Sequence, residues 1–168
     1  MPRRAASRKG IVRRRGACGR YVALLGMTAA AFGVRAACVV LAPPDGPPLA
    51  RVNLDDHDPT FQIAYIHSVT RTPVDERYRV DGAHIVETEI RFVEHGPGLP
   101  TEPDTGGGFE RRDGQFIVRG DRILGTIVMR VHADQRPALI AGAQRIDLAQ
   151  WGNRALSLKA LAGACSGP

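Results

Sequence analysis

The sequence predicts an all-β domain, either an antiparallel β-sandwich or a small, partly closed barrel of about nine short strands. Past residue 35, apolar and polar residues alternate over short runs, and no window keeps the 3.6-residue apolar repeat of a helix over three turns. Turn dipeptides separate these runs at short intervals, as they do in hairpins. A basic stretch followed by an apolar stretch precedes the domain and predicts a signal or anchor helix.

The N-terminal segment predicts export. Residues 1–20 contain seven arginines and Lys9 with no carboxylate, and an apolar run follows over residues 21–34. That run is short for a membrane span and fits the hydrophobic region of a secretory signal, with an uncleaved membrane anchor as the alternative. The predicted organisation is a signal peptide or anchor over residues 1–34, one all-β domain over residues 35–162 and a short tail over residues 163–168. We expect the domain to be periplasmic, or anchored to the outer face of the inner membrane.

Short alternating or β-branched runs predict the strands of the domain. In chain order they cover residues 37–42, 49–54, 61–69, 74–80, 83–92, 109–112, 115–119, 126–131, 138–141, 144–148 and 155–161, with one helical turn at residues 150–152. The proline-rich residues 43–48 separate the first two runs, because proline and glycine favour turns. Asp81-Gly82 and Asp113-Gly114 predict two-residue type I′ hairpins, since both central residues of that turn need a positive φ.

The charge distribution argues against a nucleic-acid partner. The whole chain has a formal net charge of +6 at pH 7, from 23 basic and 17 acidic residues. Removing the eight basic residues of the N-terminal segment leaves 15 basic against 17 acidic ones, so the domain itself is mildly acidic. A basic face for DNA or RNA is therefore not predicted.

Two cysteines flank the predicted domain. Cys18 lies within the export segment, whereas Cys38 and Cys165 lie near the two ends of the domain. In an oxidising compartment these two could pair and tie the first strand to the last, while free thiols and thiols linked to a partner stay equally open. Arg35, three residues before Cys38, makes a lipid-attachment site improbable on sequence grounds.

The hairpin around Asp81-Gly82 predicts a sheet face rich in carboxylates. Val80 would lie opposite Ala83, Tyr78 opposite Ile85, Glu76 opposite Glu87 and Val74 opposite Glu89. These side chains would share one face, because the side-chain period of a strand is two. Opposed like charges destabilise a sheet. Arg91, Arg71, a bound cation or a raised carboxylate pKa would therefore have to compensate.

His67 lies in the preceding strand, residues 61–69, on the same face as Phe61, Ile63, Tyr65 and Val69. Pairing of that strand with residues 74–80 would bring the imidazole close to the carboxylates. The functional interpretation is a polar site formed by His67, Glu76, Glu87 and Glu89. The structural interpretation is a hydrogen-bonded histidine and an ion network that fix the strand register, and such networks are common.

Two other motifs contain residue types found in catalytic or metal sites, but their spacing does not predict such a site. His67-Ser68 with Asp75 does not predict a hydrolase triad, because adjacent strand residues point to opposite faces. The side chains of Asp55, Asp56 and Asp58 are too close in sequence to converge on one cation, and the following proline marks a turn.

The glycine-rich residues 94–108 predict a long structured connection. They lack the spacing of a phosphate-binding loop and lead into a strand, whereas such loops open a helix. Loops longer than about twelve to fifteen residues in compact domains are often functional. We therefore expect a ligand or partner surface here.

Two motifs resemble the bacterial domain-of-unknown-function family 1850. The matching residues are Tyr65, His67, Ser68, Val69, Thr72, Pro73, Val74 and Glu76, then Glu89, Gly96, Gly98, Leu99 and Pro100. The resemblance extends over residues 61–116. It departs at His95, where an aromatic residue is usual, and at Pro97, where alanine is usual. It implies a small exported or membrane-anchored protein, often encoded beside TAXI-type tripartite ATP-independent periplasmic (TRAP) transporters.

The expected function is a non-enzymatic, extracytoplasmic accessory domain that binds a TRAP transporter subunit or its solute. The alternative is a metal-binding or hydrolytic enzyme that uses the His67, Glu76 and Glu89 face, and a third possibility is a purely structural interaction domain. No cofactor and no catalytic residue is predicted, and the question of a metal stays open. The predicted binding residues are Tyr65, His67, Ser68, Arg71, Thr72, Glu76, Glu87, Glu89, Gly96 and Gly98.

Overall fold

The computed structural model describes residues 37–103 and 106–165, and these form an all-β sandwich of two antiparallel sheets. The strands are β1 (Ala37–Ala42), β2 (Ala50–Asn53), β3 (Thr60–Ile66), β4 (Pro73–Asp81), β5 (His84–Phe92), β6 (Gly108–Arg112), β7 (Gln115–Leu124), β8 (Thr126–Arg130), β9 (Ala138–Ala141), β10 (Gln144–Asp147) and β11 (Ala155–Ala162). Two 3-10 turns cover Ala133–Gln135 and Leu148–Trp151. The sandwich prediction is confirmed, and the sheets do not close into a barrel. The predicted signal or anchor helix lies outside the described residues.

The smaller sheet has the strand order β2-β1-β11-β8, and the larger has the order β10-β9-β3-β4-β5-β7-β6. Apolar side chains from the facing surfaces form the main core, including Leu41, Ile63, Ile85, Leu139 and Leu158, none of which is exposed. We call the surface of each sheet that meets this core its inner face. Among the residues the structure describes, no helix is long and apolar enough to cross a membrane.

A second, smaller apolar cluster lies on the inner face of the larger sheet. It contains Val74, Ile90, Phe92 and Val118 from β4, β5 and β7, and its remaining buried member is Leu99. Leu99 belongs to the long connection between β5 and β6. That connection therefore folds over the sheet and covers apolar side chains, as its length and glycine content suggested.

The eleven predicted runs all form strands, more than the expected total of about nine, and two differ in length in a way that matters for the site, β3 being shorter and β7 longer than predicted. β3 ends at Ile66, whereas alternation had predicted a strand over residues 61–69. His67 to Thr72 instead form a tight turn, in which the Arg71 N–H donates to the His67 carbonyl at 3.0 Å. Val69, predicted on the apolar face, is 64% exposed.

The two predicted type I′ hairpins differ in outcome. Asp113 and Gly114 have φ values of 53° and 80° and form the predicted loop. In the other hairpin Asp81 pairs with His84, so the loop residues are Gly82 and Ala83, not Asp81 and Gly82. The register moves by two residues, and the same side chains stay on the same face because two is the side-chain period.

A β-bulge at Thr88 changes the second half of the β4–β5 pairing. Tyr78 lies opposite Glu87, but the next residue, Arg77, lies opposite Glu89, so Thr88 is an extra residue in β5. Glu87 therefore remains on the inner face, whereas Glu89 turns to the outer face. The predicted pairings of Glu76 with Glu87 and of Val74 with Glu89 are wrong, since Ile90 and Phe92 take those positions opposite Glu76 and Val74.

Candidate functional site

His67 fastens the β3–β4 turn to the long connection. Its Nδ1 accepts the backbone N–H groups of Val69 at 3.3 Å and Thr70 at 3.2 Å. With Nδ1 acting as an acceptor, Nε2 carries the proton and donates to the Pro97 carbonyl at 3.1 Å. The side chain is buried and both ring nitrogens are used. This geometry supports the structural interpretation of His67.

Gly96 is needed where the long connection passes His67. A Cβ atom at Gly96 would lie 2.6 Å from Cε1 of His67 and 2.9 Å from Cγ2 of Thr70. Real Cβ atoms do not approach other atoms so closely, and the ring cannot move aside without losing its hydrogen bonds. The glycine thus lets the connection rest on the imidazole. Gly98 serves differently, because its φ of 87° lies in the left-handed region that favours glycine.

Glu76 lies on the inner face between two tyrosines. The Tyr65 hydroxyl donates to Oε1 at 2.9 Å, and the Tyr78 hydroxyl donates to Oε2 at 2.6 Å. Burial raises the pKa of Glu76, the two tyrosine hydrogen bonds act against that rise, and the nearby Glu87 adds to it. Burial and the Glu76 charge raise the pKa values of both tyrosines, so their hydroxyls remain protonated donors.

Glu87 lies beside this group and has an arginine partner. Nε of Arg122 donates to Oε2 of Glu87 at 2.8 Å, and Nη2 of Arg122 contacts the same oxygen. The Glu87 side chain is 8% exposed and that of Arg122 is 53% exposed, so the pair extends from the interior to the surface. The prediction that Glu76 and Glu87 share a face is confirmed, and Arg122 supplies the compensating charge.

Glu89 lies on the outer face in a separate network. Arg91 Nε donates to it at 2.6 Å, Arg119 Nε at 2.8 Å, and Arg77 Nε lies at 3.5 Å. Burial alone would raise the pKa of Glu89, but Arg91 and the other guanidinium groups lower it. Arg91 was a predicted partner. The prediction that Glu89 joins His67 and Glu76 on one face is wrong, because the bulge turns it away.

A cleft of about 310 Å³ opens between the long connection and strands β5 and β7. Its apolar wall consists of Ile90, Leu99, Pro100 and Val118. Its charged lining consists of Glu87, Glu89, Glu102, Arg119 and Arg122. The cleft lies at the register shift between β5 and β7, and Thr88 and Gly120, one from each strand, line it. The arrangement offers carboxylate, guanidinium and apolar groups to one small molecule.

An aromatic group stands beside the cleft, at the β6 edge of the larger sheet. His95 contacts the rings of Phe92 and Phe116, with centroids 5.0 and 4.3 Å away, and stacks on Phe109 at 6.2 Å. Arg111 lies 5.0 Å above the Phe116 ring. The His95 imidazole therefore packs in this group as an aromatic ring would, which explains how a histidine fits where an aromatic residue is usual.

The remaining predicted residues of the first motif lie in the β3–β4 turn. Ser68 is exposed, Thr70 and Thr72 share a hydrogen bond between their hydroxyls at 2.8 Å, and Arg71 has a φ of 57°. Arg71 was predicted to compensate the carboxylates, but it pairs with Asp134 at 3.1 Å instead. These residues shape the turn and do not line the cleft.

Apart from Ser68, Arg71 and Thr72 of the β3–β4 turn, the predicted residues divide into three groups. Tyr65, Glu76 and Glu87 come together on the inner face, Glu87, Glu89 and Gly98 line the cleft, and His67 with Gly96 supports the long connection. Among the described residues, no group of three or more His, Cys, Asp or Glu is arranged to hold a metal ion. The acidic turn fits this: Oδ1 of Asp55 accepts the N–H groups of His57 and Asp58.

The residues of the site that sequence reasoning did not assign to it include Tyr78, Leu99, Glu102, Arg119 and Arg122. The last two belong to β7, which pairs with β5 across the connection and the β6–β7 hairpin. No local signal in the sequence indicates that pairing. A β7 strand five residues longer than predicted is what brings Arg122 to Glu87.

A family model described as Domain of unknown function (DUF1850) matches residues 61–148, more than half of the 168-residue chain. The match runs from β3 to the start of the second 3-10 turn, so it includes His67, the Glu76 group and the whole cleft. Strands β1, β2 and β11 of the smaller sheet lie outside it. No curated protein and no solved structure matches the chain.

Proposed function

Because the chain belongs to the DUF1850 family, whose description assigns no activity, we propose its function from the geometry of its cleft. The protein is an extracytoplasmic binding domain that takes a small organic solute between the long connection and strands β5 and β7. It acts as an accessory to a solute uptake system of the TAXI-type TRAP class. It performs no chemistry on the solute.

The cleft is the observation that carries this proposal. Its volume of about 310 Å³ lies at the lower end of the range for small-molecule sites. The long connection covers the cleft, and two contacts hold it in place. Leu99 packs into the second apolar cluster, and His67 binds the Pro97 carbonyl. A cover fixed at two points makes a preformed site, which lowers the entropy cost of binding.

The chemistry of the lining indicates a ligand with both charged and apolar parts. Arg119 already contacts Glu89 and Glu110, and Arg122 contacts Glu87, so any ligand charge must share or exchange these partners. Ile90, Leu99 and Val118 provide an apolar wall. A compact organic ion with a short hydrocarbon portion suits this combination better than a sugar or a bare metal ion.

Two observations support an extracytoplasmic location. Cys38 and Cys165 form a disulfide, a bond typical of oxidising compartments. The basic residues 1–20 followed by the apolar residues 21–34 have the pattern of an export signal or anchor. A partner of a periplasmic transporter must itself lie outside the cytoplasm.

An enzymatic role has one observation in its favour. The raised pKa of Glu76 resembles that of a general acid, and such shifts occur often at active sites. However, Glu76 is not among the residues that line the cleft, and the two tyrosines occupy both of its oxygens. His67, the imidazole of the first motif, has both nitrogens in hydrogen bonds with the backbone. Binding is the better-supported function.

A thermal-shift titration of the full chain tests the solute proposal. The probes are succinate, glutamate, putrescine and glucose, which represent an anion, a zwitterion, a cation and a neutral solute. A ligand at about 100 times its Kd stabilises the folded state by roughly 2.7 kcal/mol, so a charged probe that binds should raise Tm in proportion to the logarithm of its concentration.

The matched variants are Glu87→Gln in the cleft and Asp134→Asn outside it. Glu87→Gln should change the size of the shift, because it removes a carboxylate of the lining, and Asp134→Asn should keep it, because neither Asp134 nor its partner Arg71 lines the cleft. No shift with any charged probe, or an equal shift in both variants, would contradict a solute site in this cleft.

The transporter association needs its own experiment. Affinity purification of the tagged full chain from solubilised membranes of its native host should recover TRAP transporter subunits, identified by mass spectrometry. A preparation that contains the chain and no transporter subunit would contradict the association while leaving the solute site intact.

A further inference from the structure

Strand β6 is the last strand of the larger sheet, and one of its edges is free. Among the described residues it pairs with β7 alone. The two-residue loop of the β6–β7 hairpin makes Arg112 and Gln115 a hydrogen-bonded pair, and bonding to β7 alternates from there along the strand. The backbone N–H and C=O groups of Phe109 and Arg111 therefore point to the free edge.

Exposed aromatic side chains lie beside this edge, on the inner face. Phe109 is 41% exposed, and its ring centroid lies 6.2 Å from that of His95 and 5.8 Å from that of Phe116. Val93, two positions before His95, is 37% exposed. A free strand edge next to exposed apolar side chains readily pairs with another chain. The edge is therefore an interaction surface, and its charges indicate the partner.

The outer face of β6 has both signs of charge. Glu110 lies at the centre of the strand, where Nη1 of Arg119 donates to its carboxylate at 2.8 Å. Arg112 lies two residues further along, on the same face, and is exposed. A strand with a carboxylate at its centre and a guanidinium group beside it suits a second, antiparallel copy of itself.

Only one antiparallel register joins both free-edge residues of one copy to those of another. It has a twofold axis at Glu110, so that Phe109 of each copy lies opposite Arg111 of the other. Each such pair can exchange both backbone hydrogen bonds of an antiparallel ladder. An axis at Arg111 would bring Phe109 opposite Asp113, whose φ of 53° is not extended. An axis at Phe109 would bring Arg111 opposite Gly107, which lies outside the strand.

The inner face of this register pairs cations with aromatic rings. The Arg111 guanidinium already lies 5.0 Å from the centre of its own Phe116 ring. The register adds Phe109 of the second copy directly opposite Arg111, so the guanidinium would lie between two rings. Attraction between a guanidinium group and an aromatic ring strengthens as water is excluded. The contact would occur twice, because the axis relates the two copies.

The outer face brings the two Glu110 side chains opposite each other, and arginines balance their charge. Like charges directly opposite destabilise a sheet. Each Glu110, however, keeps Arg119 of its own copy at 2.8 Å and gains Arg112 of the other copy on the diagonal. The two carboxylates would thus lie among two guanidinium groups from each copy. The strand is complementary to itself in charge as well as in backbone bonding.

The other edge strands fit a second copy less well. Strands β2 and β8 each contain one arginine and no carboxylate, so their charges repel their own copies. Strand β10 contains Arg145 and Asp147, but Oδ1 of Asp147 accepts the Ala149 N–H at the start of a 3-10 turn, where the strand ends. Its Ile146 packs against the main core. Of these edges, β6 combines opposite charges with an exposed aromatic side chain.

We propose that the protein forms a symmetric homodimer in which the β6 strands of two copies pair in antiparallel orientation about Glu110. The larger sheets of the two copies then form one continuous sheet, and their aromatic groups meet at the junction. Because both copies use the same surface, the contact closes on itself and forms no filament. The proposal holds whether or not the cleft binds a solute.

Site-specific cysteines test the register. In the full-length Cys18→Ser protein, kept in detergent, Glu110→Cys places a thiol at the twofold axis. Residues at this axis form a non-hydrogen-bonded pair with Cα atoms about 4.5 Å apart, close enough for a disulfide. Mild oxidation should convert most of this variant to a disulfide-linked dimer on a non-reducing gel.

Arg112→Cys in the same background is the matched control. The two copies of position 112 lie two residues from the axis on opposite sides, roughly 13 Å apart, which is too far for a disulfide. Position 112 is more exposed than position 110, so random collisions would cross-link Arg112→Cys more readily. A dimer that forms at position 110 and not at position 112 therefore reports β6 pairing.

Proline variants test the hydrogen bonds by sedimentation equilibrium in density-matched detergent. Arg111→Pro removes an N–H that faces the free edge and leaves the β6–β7 ladder intact. Association should weaken roughly tenfold or more, because two symmetry-related hydrogen bonds are lost. Arg145→Pro makes the same change on β10, the other edge strand of this sheet, and should leave association unchanged.

Several outcomes would overturn the proposal. One is cross-linking that is absent at position 110 or equal at positions 110 and 112. Another is association that survives Arg111→Pro, or that Arg145→Pro abolishes, since the latter assigns the contact to β10. A parent protein that stays monomeric at every concentration would also refute it. If the melting temperature of Arg111→Pro falls well below that of the parent, the two cysteine variants decide the question.

Discussion

At the scale of single residues, Glu76 shows how burial and hydrogen bonding compete. Two tyrosine hydroxyls stabilise its charged form, while burial and Glu87 favour its neutral form. The effect of burial is the larger, so the pKa of Glu76 is raised. A carboxyl group with a raised pKa in the folded state binds a proton more readily there than in the unfolded chain, and stability therefore falls as the pH rises.

Glu76→Gln should remove that part of the pH dependence. Between the ordinary value of 4.5 and the raised pKa, the folded wild type binds more protons than the unfolded chain and loses stability as the pH rises. Urea unfolding of both proteins across mildly acidic to neutral pH measures the difference. The gap between them should favour the variant increasingly toward neutral pH, and a gap that is constant with pH would contradict this account.

Gly96→Ala should destabilise the fold by about 1–3 kcal/mol, the usual cost of overpacking. The added methyl group would meet the buried His67 ring at 2.6 Å, and that ring is held by hydrogen bonds on both nitrogens. Chemical denaturation gives the change in the free energy of unfolding. The matched control is Gly108→Ala, where a Cβ meets no atom within 4 Å and the cost should be under about 0.5 kcal/mol. Equal losses of stability in the two variants would contradict a steric clash with His67 as the cause.

At the scale of elements, the bulge at Thr88 divides the charges of β5 between two faces. Glu87 points inward to Arg122, Glu89 points outward to Arg77, Arg91 and Arg119, and both carboxylates line the cleft. The outer network joins β4, β5 and β7. It keeps apart two carboxylates that a regular strand would place on one face.

Glu89→Gln should cost about 1–3 kcal/mol at neutral pH, because the buried side chain would lose its charge among three guanidinium groups. The lowered pKa of Glu89 means that its stabilisation is present above the ordinary value of 4.5 and is lost as the pH falls through the folded-state pKa. Urea unfolding at neutral and acidic pH should show the two proteins converging in acid. Glu110→Gln, at a carboxylate that is 42% exposed, is the control and should cost less than about 1 kcal/mol.

At the scale of the whole molecule, the smaller sheet closes the fold by joining the two ends of the domain. β1 and β11 pair along their whole lengths, from Ala37 opposite Ala162 to Ala42 opposite Ser157. The Cys38–Cys165 disulfide fixes this pairing covalently. The family match covers most of the larger sheet and β8, so the terminal strands complete the core that the matched segment cannot bury alone.

Removing the disulfide should destabilise the domain by about 2–5 kcal/mol. The two cysteines are 127 residues apart, so the bond restricts a long loop of the unfolded chain. Urea unfolding of the Cys18→Ser protein with and without reductant gives the cost. The double variant Cys38→Ala with Cys165→Ala should unfold at a lower urea concentration than the disulfide-bonded protein, and its unfolding should not depend on reductant. Unfolding of the parent protein that is insensitive to reductant would refute the prediction.

The sequence by itself determined the features that depend on neighbours along the chain. Alternation located every strand to within a few residues apart from the lengths of β3 and β7, and Asp113-Gly114 specified its turn through the φ values it favours. The first motif identified the family. These features are local, because side-chain period and turn geometry act over a few residues.

Only the tertiary structure decided the site. The bulge at Thr88 depends on β4 and β7 pairing with β5 from both sides, and it alone separates Glu87 from Glu89. Arg122 reaches Glu87 across 35 positions of sequence, and His67 reaches Pro97 across 30. Such contacts follow from how distant strands align, and alignment is set by the packing of the whole core rather than by any local pattern.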